Sequence, residues 1–187
     1  MKILILGYSD LAKRKILPAI KKIKNLRFDI ASVSKKKQDI GQDNWYNNYD
    51  YSINNTDAKI VYISLVNSKH YEYALKALKK NKNLIIDKPI ALKLSQTKKL
   101  LFMAREKRLL ISQALVFNYH NNFILLKKII KKNKIKINNI IMQFYIPRPL
   151  KGNFKLSKKL GGGCFNDMAP YAAEVMRIFL NKKIIYY

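Results

Sequence analysis

Residues 3–12 read Ile3-Leu4-Ile5-Leu6-Gly7-Tyr8-Ser9-Asp10-Leu11-Ala12, an apolar run that stops on a glycine and passes into a helical pattern. The four apolar residues suit a short buried strand. Leu11, Ala12, Ile16, Ala19, Ile20 and Ile23 then fall at helical spacing with lysines between them. Strand, glycine turn and helix form the opening of a dinucleotide-binding unit, where helix N-terminal N–H groups and a close backbone approach cradle a pyrophosphate. The G-x-G-x-x-G fingerprint is degraded: Gly7 stands, Ser9 takes the second glycine's place and Ala12 the third. Both replacements are small, so close approach remains open, and Gly7, Ser9, Asp10 and Leu11 become candidate cofactor contacts. An ordinary strand-to-helix turn would read the same way.

Working outward, Phe28 to Val33 reads as a second strand that runs into Ser34-Lys35-Lys36-Lys37. An acid at this strand end would bond the ribose 2′-OH of NAD, whereas a base or hydroxyl suits the 2′-phosphate of NADP. No acid occurs from Ala31 through Lys37, so Ser32, Ser34 and Lys35 are candidates and NADP is favoured over NAD. A solvated lysine run is the competing reading. Gln38 to Thr56 is polar and aromatic, and is expected as a short helix or loop on the sheet edge. Ile60 to Leu65 is a buried strand ending in Val66-Asn67-Ser68-Lys69-His70, with a helix to about Lys80. Leu65, Asn67 and His70 thus stand at a strand's carboxyl end. Asn67 or Ser68 could equally be a helix cap, and His70 a surface residue.

Leu84 to Leu92 reads LIIDKPIAL, an apolar strand ending on Asp87, Lys88 and Pro89. Strand ends in open α/β sheets are where ligands sit, which makes Lys88 the first candidate for chemistry. A helix capped by Ser95, a strand from Leu109 to Phe117, and a helix carrying Ile124, Leu125, Ile129 and Ile130 follow. Alternating strands and helices predict a doubly wound parallel sheet covered on both faces. Lys136 to Pro147 predicts one longer strand. Gly161-Gly162-Gly163 then leads through Asp167 and Tyr171 into an amphipathic helix.

The composition bounds the function. The chain has 187 residues, 49% of them apolar, which suits a globular protein with a real core. Lys and Arg number 38 against 11 acids, a net charge of +27. Such a charge first suggests nucleic acid or an anionic surface. The lysines are spread over several helix faces, however, and come with abundant Asn, Ile and Tyr, as AT-rich coding drift would produce. Dedicated nucleic-acid binding is therefore not favoured. The single cysteine, Cys164, allows no internal disulfide and no Cys-rich metal site. No stretch reaches the roughly twenty apolar residues of a membrane span, and the N-terminus does not read as a signal peptide. The expectation is a cytoplasmic protein with no membrane partner and no metal.

Four stretches in one order now form a set: the glycine turn, Ser64 to His70, Asp87-Lys88-Pro89, and the triple glycine with Asp167 and Tyr171. Together they resemble the Gfo/Idh/MocA family of nicotinamide-dependent oxidoreductases. The resemblance implies a Rossmann domain at 1–118 and, from 119 to 187, the start of an α+β substrate domain. The family's E-K-P motif falls on Asp87-Lys88-Pro89, with Asp for Glu, which puts Asp87 and Lys88 beside the cofactor. The family lysine, here Lys88, orients substrate and helps move the hydroxyl proton. The later D-x-x-x-H pair falls on Asp167 and Tyr171, tyrosine being a variation met in the family and a ready proton donor. The catalytic set implied is Lys88, Asp167 and Tyr171. Asn67 and His70 match the P-N-x-x-H pattern, with Val66 in place of proline.

Family members are much longer. The resemblance therefore implies a substrate domain cut short, with one strand at about 137–146 standing for its sheet, and a truncated, split or decayed form lacking activity is one expectation. The leading expectation is an NADP- or NAD-dependent oxidoreductase acting on a hydroxyl or ketone of a sugar, sugar nucleotide or cyclitol. It would work as a homo-oligomer or with a completing partner chain. The alternatives are a non-catalytic nucleotide-binding or regulatory remnant, and a basic nucleic-acid-binding protein.

Overall fold

A computed structural model of the chain describes residues 1–180. The last seven residues of the expected second domain lie outside the described residues. Six strands form one parallel sheet in the order β3-β2-β1-β4-β5-β6. They are β1 (Lys2–Leu6), β2 (Arg27–Ala31), β3 (Trp45–Tyr46), β4 (Ile60–Ile63), β5 (Asn83–Ile86) and β6 (Ile111–Gln113). The order reverses between β1 and β4, which is the switch point of a doubly wound α/β fold.

Alternation along the strands explains the two cores. Ile3 and Ile5 of β1, Phe28 and Ile30 of β2 and Tyr62 of β4 face the first helix, a π-helical turn at Ala12–Ile16 continued by α1 (Leu17–Lys21). Leu4, Leu6, Val61, Ile63, Leu84 and Ile86 face the other way. They meet Ile53 of α2 (Tyr49–Asn55), Ala74, Ala77 and Leu78 of α3 (Asn67–Lys79), and Leu100 and Ala104 of α4 (Leu94–Glu106). Successive side chains point to opposite faces, so the continuous apolar runs read in the sequence are those of strands buried on both sides.

The register matters most for function. Leu6 pairs with Ala31 and with Ile63, Ile63 with Ile86, and Ile86 with Gln113. Five strands therefore finish on one line, and the residues that follow them share one edge. At the opposite edge, buried Lys2 ties Asp29, Asp43 and Asp57 together, which satisfies charge far from that line.

The structure revises several local expectations. Gln38 to Thr56 contains the short edge strand β3 as well as α2. The strand expected over Leu109 to Phe117 shrinks to β6 and gives way to a 3₁₀ turn at Val116–Tyr119. Lys93, not Ser95, is the N-cap of α4, and it makes no side-chain cap bond. Residues 136–150 form no strand, against the expectation of one at 137–146. A strand needs a neighbour to ladder with, and none among the described residues offers an edge there. Ile141 and Tyr145 are left 80% and 86% exposed.

The remaining described elements are α5 (Asn121–Lys132), two 3₁₀ turns at Phe154–Leu156 and Lys158–Leu160, and α6 (Cys164–Leu180). Phe117, Phe123 and Phe179 stack edge to face between these elements, with ring centroids 4.8 and 5.6 Å apart. No helix among the described residues is long and apolar enough to cross a membrane.

Candidate active site

Every candidate from the cofactor turn to Lys88 lies on or next to the carboxyl ends of β1, β2, β4 and β5. Gly7 continues the ladder, its N–H donating to the Ala31 carbonyl at 2.9 Å. Its φ of +97° is a left-handed conformation that glycine adopts freely. A Cβ there would stand 2.2 Å from the Ser64 carbonyl oxygen. The glycine thus lets the β1 turn lie against β4. The first helix begins directly after it, and the N–H groups of a helix's first turn have no partner within the helix. Ser9 is half-buried, whereas Asp10 and Leu11 are exposed.

A chain of hydroxyls joins this turn to the Asp87 strand end. The Ala12 N–H donates to Ser9 Oγ at 3.0 Å, and the two oxygens Ser9 Oγ and Ser64 Oγ lie 2.7 Å apart. Ser64 Oγ donates to Asp87 Oδ2 at 2.9 Å, and the Tyr62 hydroxyl donates to Asp87 Oδ1. Because the Ser64 proton goes to Asp87, Ser9 is the donor to Ser64. Burial, then the Asp87 charge and hydrogen bond, push the Tyr62 phenol far above its ordinary range, so Tyr62 stays a donor. The shorter aspartate at this motif position is therefore satisfied by two hydroxyls of β4 and its following residue. Neither Tyr62 nor Ser64 stood out in the sequence as a site residue. Tyr62 read as core, and a serine closing an apolar strand was the one available signal.

Ser64→Ala is expected to destabilise the fold by about 1–3 kcal/mol, because it strips one donor from Asp87 and the acceptor from Ser9. Urea denaturation measures this, and an unchanged midpoint would show the chain to be incidental.

The other strand-end residues serve the backbone around the site. Buried His70 sets Nδ1 2.7 Å from the Pro89 carbonyl and Nε2 3.0 Å from the Leu65 carbonyl, so its ring braces the loops after β4 and β5. It is not the exposed surface residue that one reading of the sequence allowed. Asn67 is the first residue of α3 rather than its cap, which is Val66. Its Nδ2 donates to the Gly161 carbonyl at 2.9 Å and so ties the glycine run to the sheet. After β2, buried Ser32 accepts the Lys35 N–H at 3.2 Å, while Ser34 and Lys35 are exposed.

Lys88, Asp167 and Tyr171 come together although 79 residues separate the first two. Lys88 Nζ donates to an Asp167 carboxylate oxygen and, at 2.6 Å, to the Asp167 carbonyl. It also lies 5.1 Å from the centroid of the Tyr171 ring. Asp167 and Tyr171 share a face at the start of α6, one turn apart. Tyr171 packs against Phe117 and Phe144, with centroids 5.7 and 6.2 Å away. Burial, and then the charges of Asp167 and Asp87, raise the Tyr171 phenol. Burial alone would raise the Asp167 carboxyl, but hydrogen bonds from Lys88 and Lys155 outweigh it and hold the group below the usual carboxylate range. Lys155 reaches Asp167 Oδ2 at 2.9 Å. It is one of 38 basic residues, and nothing in the sequence marked it.

An acid, a base and a phenol thus gather after β5 at the carboxyl edge of a doubly wound α/β sheet, the edge that also carries the Gly7 turn. Residues 1–115 match the model of a family described as an oxidoreductase family with an NAD-binding Rossmann fold. The chain belongs to that family, Gfo/Idh/MocA. It is 28% identical over 133 residues to a dTDP-3,4-didehydro-2,6-dideoxy-α-D-glucose 3-reductase of Saccharopolyspora spinosa, a match covering 71% of this chain and 40% of that one. The corresponding protein of Streptomyces violaceoruber is 23% identical over 98% of this chain and 56% of its own. A solved 3-ketoreductase of Actinomadura kijaniata, in complex with NADP and TDP-benzene, shares the fold with a TM-score of 0.82. That likeness carries 23% identity and covers 96% of this chain and 57% of the ketoreductase. The chain spans about half the length of the curated relatives it matches.

Proposed function

We propose that these residues belong to an NADP(H)-dependent oxidoreductase that interconverts a ketone and a hydroxyl on a nucleotide-linked sugar. The cluster of Lys88, Asp167 and Tyr171 beside the Gly7 turn carries the reading. Gly7, Ser9 and the first turn of the following helix suit a pyrophosphate, since a small residue and a helix N-terminus are what a diphosphate needs there. Leu65 and Asn67, after β4, and Asp87 and Lys88, after β5, line the edge along which the rest of a dinucleotide would run. Exposed Ser34 and Lys35, in a stretch with no acid from Ala31 through Lys37, suit a 2′-phosphate. The NADP held by the Actinomadura ketoreductase supports the same preference. Bound dihydronicotinamide would supply the hydride.

The protein's own part is to manage charge and proton at the carbonyl oxygen. As that oxygen gains negative charge, the Lys88 ammonium stabilises it and the Tyr171 hydroxyl delivers a proton to it. The raised Tyr171 phenol stays protonated and ready to donate near neutral pH. Asp167 orients Lys88. The substrate class rests on the three curated relatives that reduce dTDP-linked deoxy sugars. The reading places the protein in the cytoplasm, where nicotinamide nucleotides are supplied.

Trp45 offers a direct assay. Its ring meets Tyr8, next to Gly7, edge to face at 5.2 Å. NADPH is expected to change its fluorescence with an affinity at least tenfold better than that for NADH. A dTDP-linked keto sugar is expected to oxidise bound NADPH. Absence of binding by either nucleotide at millimolar concentration would end this reading.

A further inference from the structure

We propose that Lys155 is a positioning residue of this site, a second counter-ion of Asp167 that lets Lys88 leave that carboxylate for the substrate oxygen. The release of Lys88 rests on the function proposed above; the pairing of Lys155 with Asp167 does not. In the structure the two oxygens of Asp167 are divided between two ammonium groups, Lys88 on Oδ1 and Lys155 on Oδ2. The Asp167 side chain is 12% exposed. If Lys88 were its sole partner, turning Lys88 toward a substrate would strand a buried carboxylate, a strongly unfavourable state. With Lys155 in place the carboxylate stays neutralised throughout, and Lys88 can exchange one oxygen partner for another.

The backbone is built to hold Lys155 there. Its N–H donates to Asn153 Oδ1 at 3.0 Å, and its carbonyl accepts the Gly163 N–H at 2.9 Å. A Cβ on Gly162 would stand 2.4 Å from that same carbonyl oxygen. The glycine run thus lies flat on the Lys155 backbone and leads within four residues to Asp167. The triple glycine, read in the sequence as a family signature, acquires a local purpose: it fixes the distance between this lysine and this carboxylate. Lys155 shares this partner with Lys88 alone among the described lysines, and differs from Lys88 in being held by the glycine run.

The groups that face Asp167 are Lys88 from the end of β5, Lys155 from the 3₁₀ turn and Tyr171 from its own helix. The charge of Asp87 also acts on the Tyr171 phenol. Glu174, further along α6, is taken by Arg177 and Asn118. The sign of the pH effect follows from this set. Both lysines lower the Asp167 carboxyl, so its contribution to stability is complete above the unfolded carboxylate range and is lost as pH falls through the lower folded value. Removing Lys155 moves that loss to higher pH.

The test is a carbon-13 titration of selectively labelled aspartate carboxyls in the full chain, with the Asp167 signal assigned by Asp167→Asn. In Lys155→Met the Asp167 midpoint is expected to rise relative to wild type, and Lys155→Arg should restore it. Lys155→Gln repeats the measurement with a polar side chain should the methionine variant fail to fold. In turnover, the acid limb of the kcat profile should move to higher pH in Lys155→Met while KM for NADPH holds. A purely structural loop residue would lower activity and leave that limb in place. An Asp167 midpoint that stays put in both neutral variants, or that Lys155→Arg fails to restore, overturns the pairing. The titration needs no catalysis, so a chain that binds no nicotinamide nucleotide sinks the function alone. An active enzyme with an unmoved midpoint and an unmoved limb sinks this inference alone.

Discussion

Lys88→Met is expected to lower turnover about 10²–10⁴-fold while leaving NADPH affinity close to wild type. Methionine matches the length and apolar stem of lysine and removes only the ammonium. What is lost is the donor that meets the carbonyl oxygen as charge develops on it, an interaction stronger in the transition state than with bound substrate. Cofactor affinity should largely persist because Lys88 only borders the dinucleotide path, whereas the Gly7 turn and Ser9 do not depend on it. Some stability should go with the ammonium, since Asp167 keeps Lys155 as its cation but loses the bonds from Lys88 to its carboxylate and its carbonyl. Single-turnover oxidation of NADPH by a dTDP-linked keto sugar, followed beside Trp45 fluorescence titration, separates the two effects. Turnover equal to wild type would remove Lys88 from the chemistry.

Gly7→Ala should be the most damaging single change to the fold. Alanine would have to hold a φ of +97° and place a Cβ 2.2 Å from the Ser64 carbonyl oxygen. The obstacle is backbone, and that backbone is already committed: the Ser64 N–H donates to the Leu6 carbonyl at 2.8 Å. Relief would require β1 and β4 to part at the centre of the sheet. Strain in the left-handed region and the clash together should cost about 3–5 kcal/mol. For a chain of this size that is a melting temperature lower by roughly 6–20 °C. Nucleotide binding should be lost with it, since Ser9 and Ser64 meet across the same gap. A variant that melts within a degree or two of wild type would mean that the turn is far softer than its contacts suggest.

The parts of the fold that were legible in the sequence were those written in burial. The runs at Ile3 to Leu6, Ile60 to Leu65 and Leu84 to Ile86 are continuous because both faces of their strands are covered. Their alternation with apolar helical spacing left a doubly wound parallel sheet as the economical solution. Polar contacts were harder to read. Nothing in the sequence says that Ser9 and Ser64 touch, because the distance between them is set by Gly7 and the register of β1 on β4. Lys155 was hidden by composition, since a functional lysine gives no local signal in a chain so rich in them. The strand expected over Lys136 to Pro147 misled for the opposite reason. Its residues have strand propensity, but propensity for a sheet is realised only against a neighbouring strand.

The fully buried apolar residues all come from the first 104 residues, and beyond Ala104 the buried positions among those described are Gly161 and Asp167. The α6 end of the site is therefore fastened to the sheet chiefly by polar bonds, Lys88 to Asp167 and Asn67 to Gly161, and by half-buried aromatic rings. Such a segment opens as a unit at a free energy well below that of global unfolding. Amide exchange in α6 should run ahead of exchange in the sheet and report an equilibrium between an assembled and a parted site. Competence and foldedness are then separate quantities in this protein. A solution condition that leaves the melting curve untouched can still empty the assembled state, and a ligand that bridges Lys88 and Tyr171 would refill it.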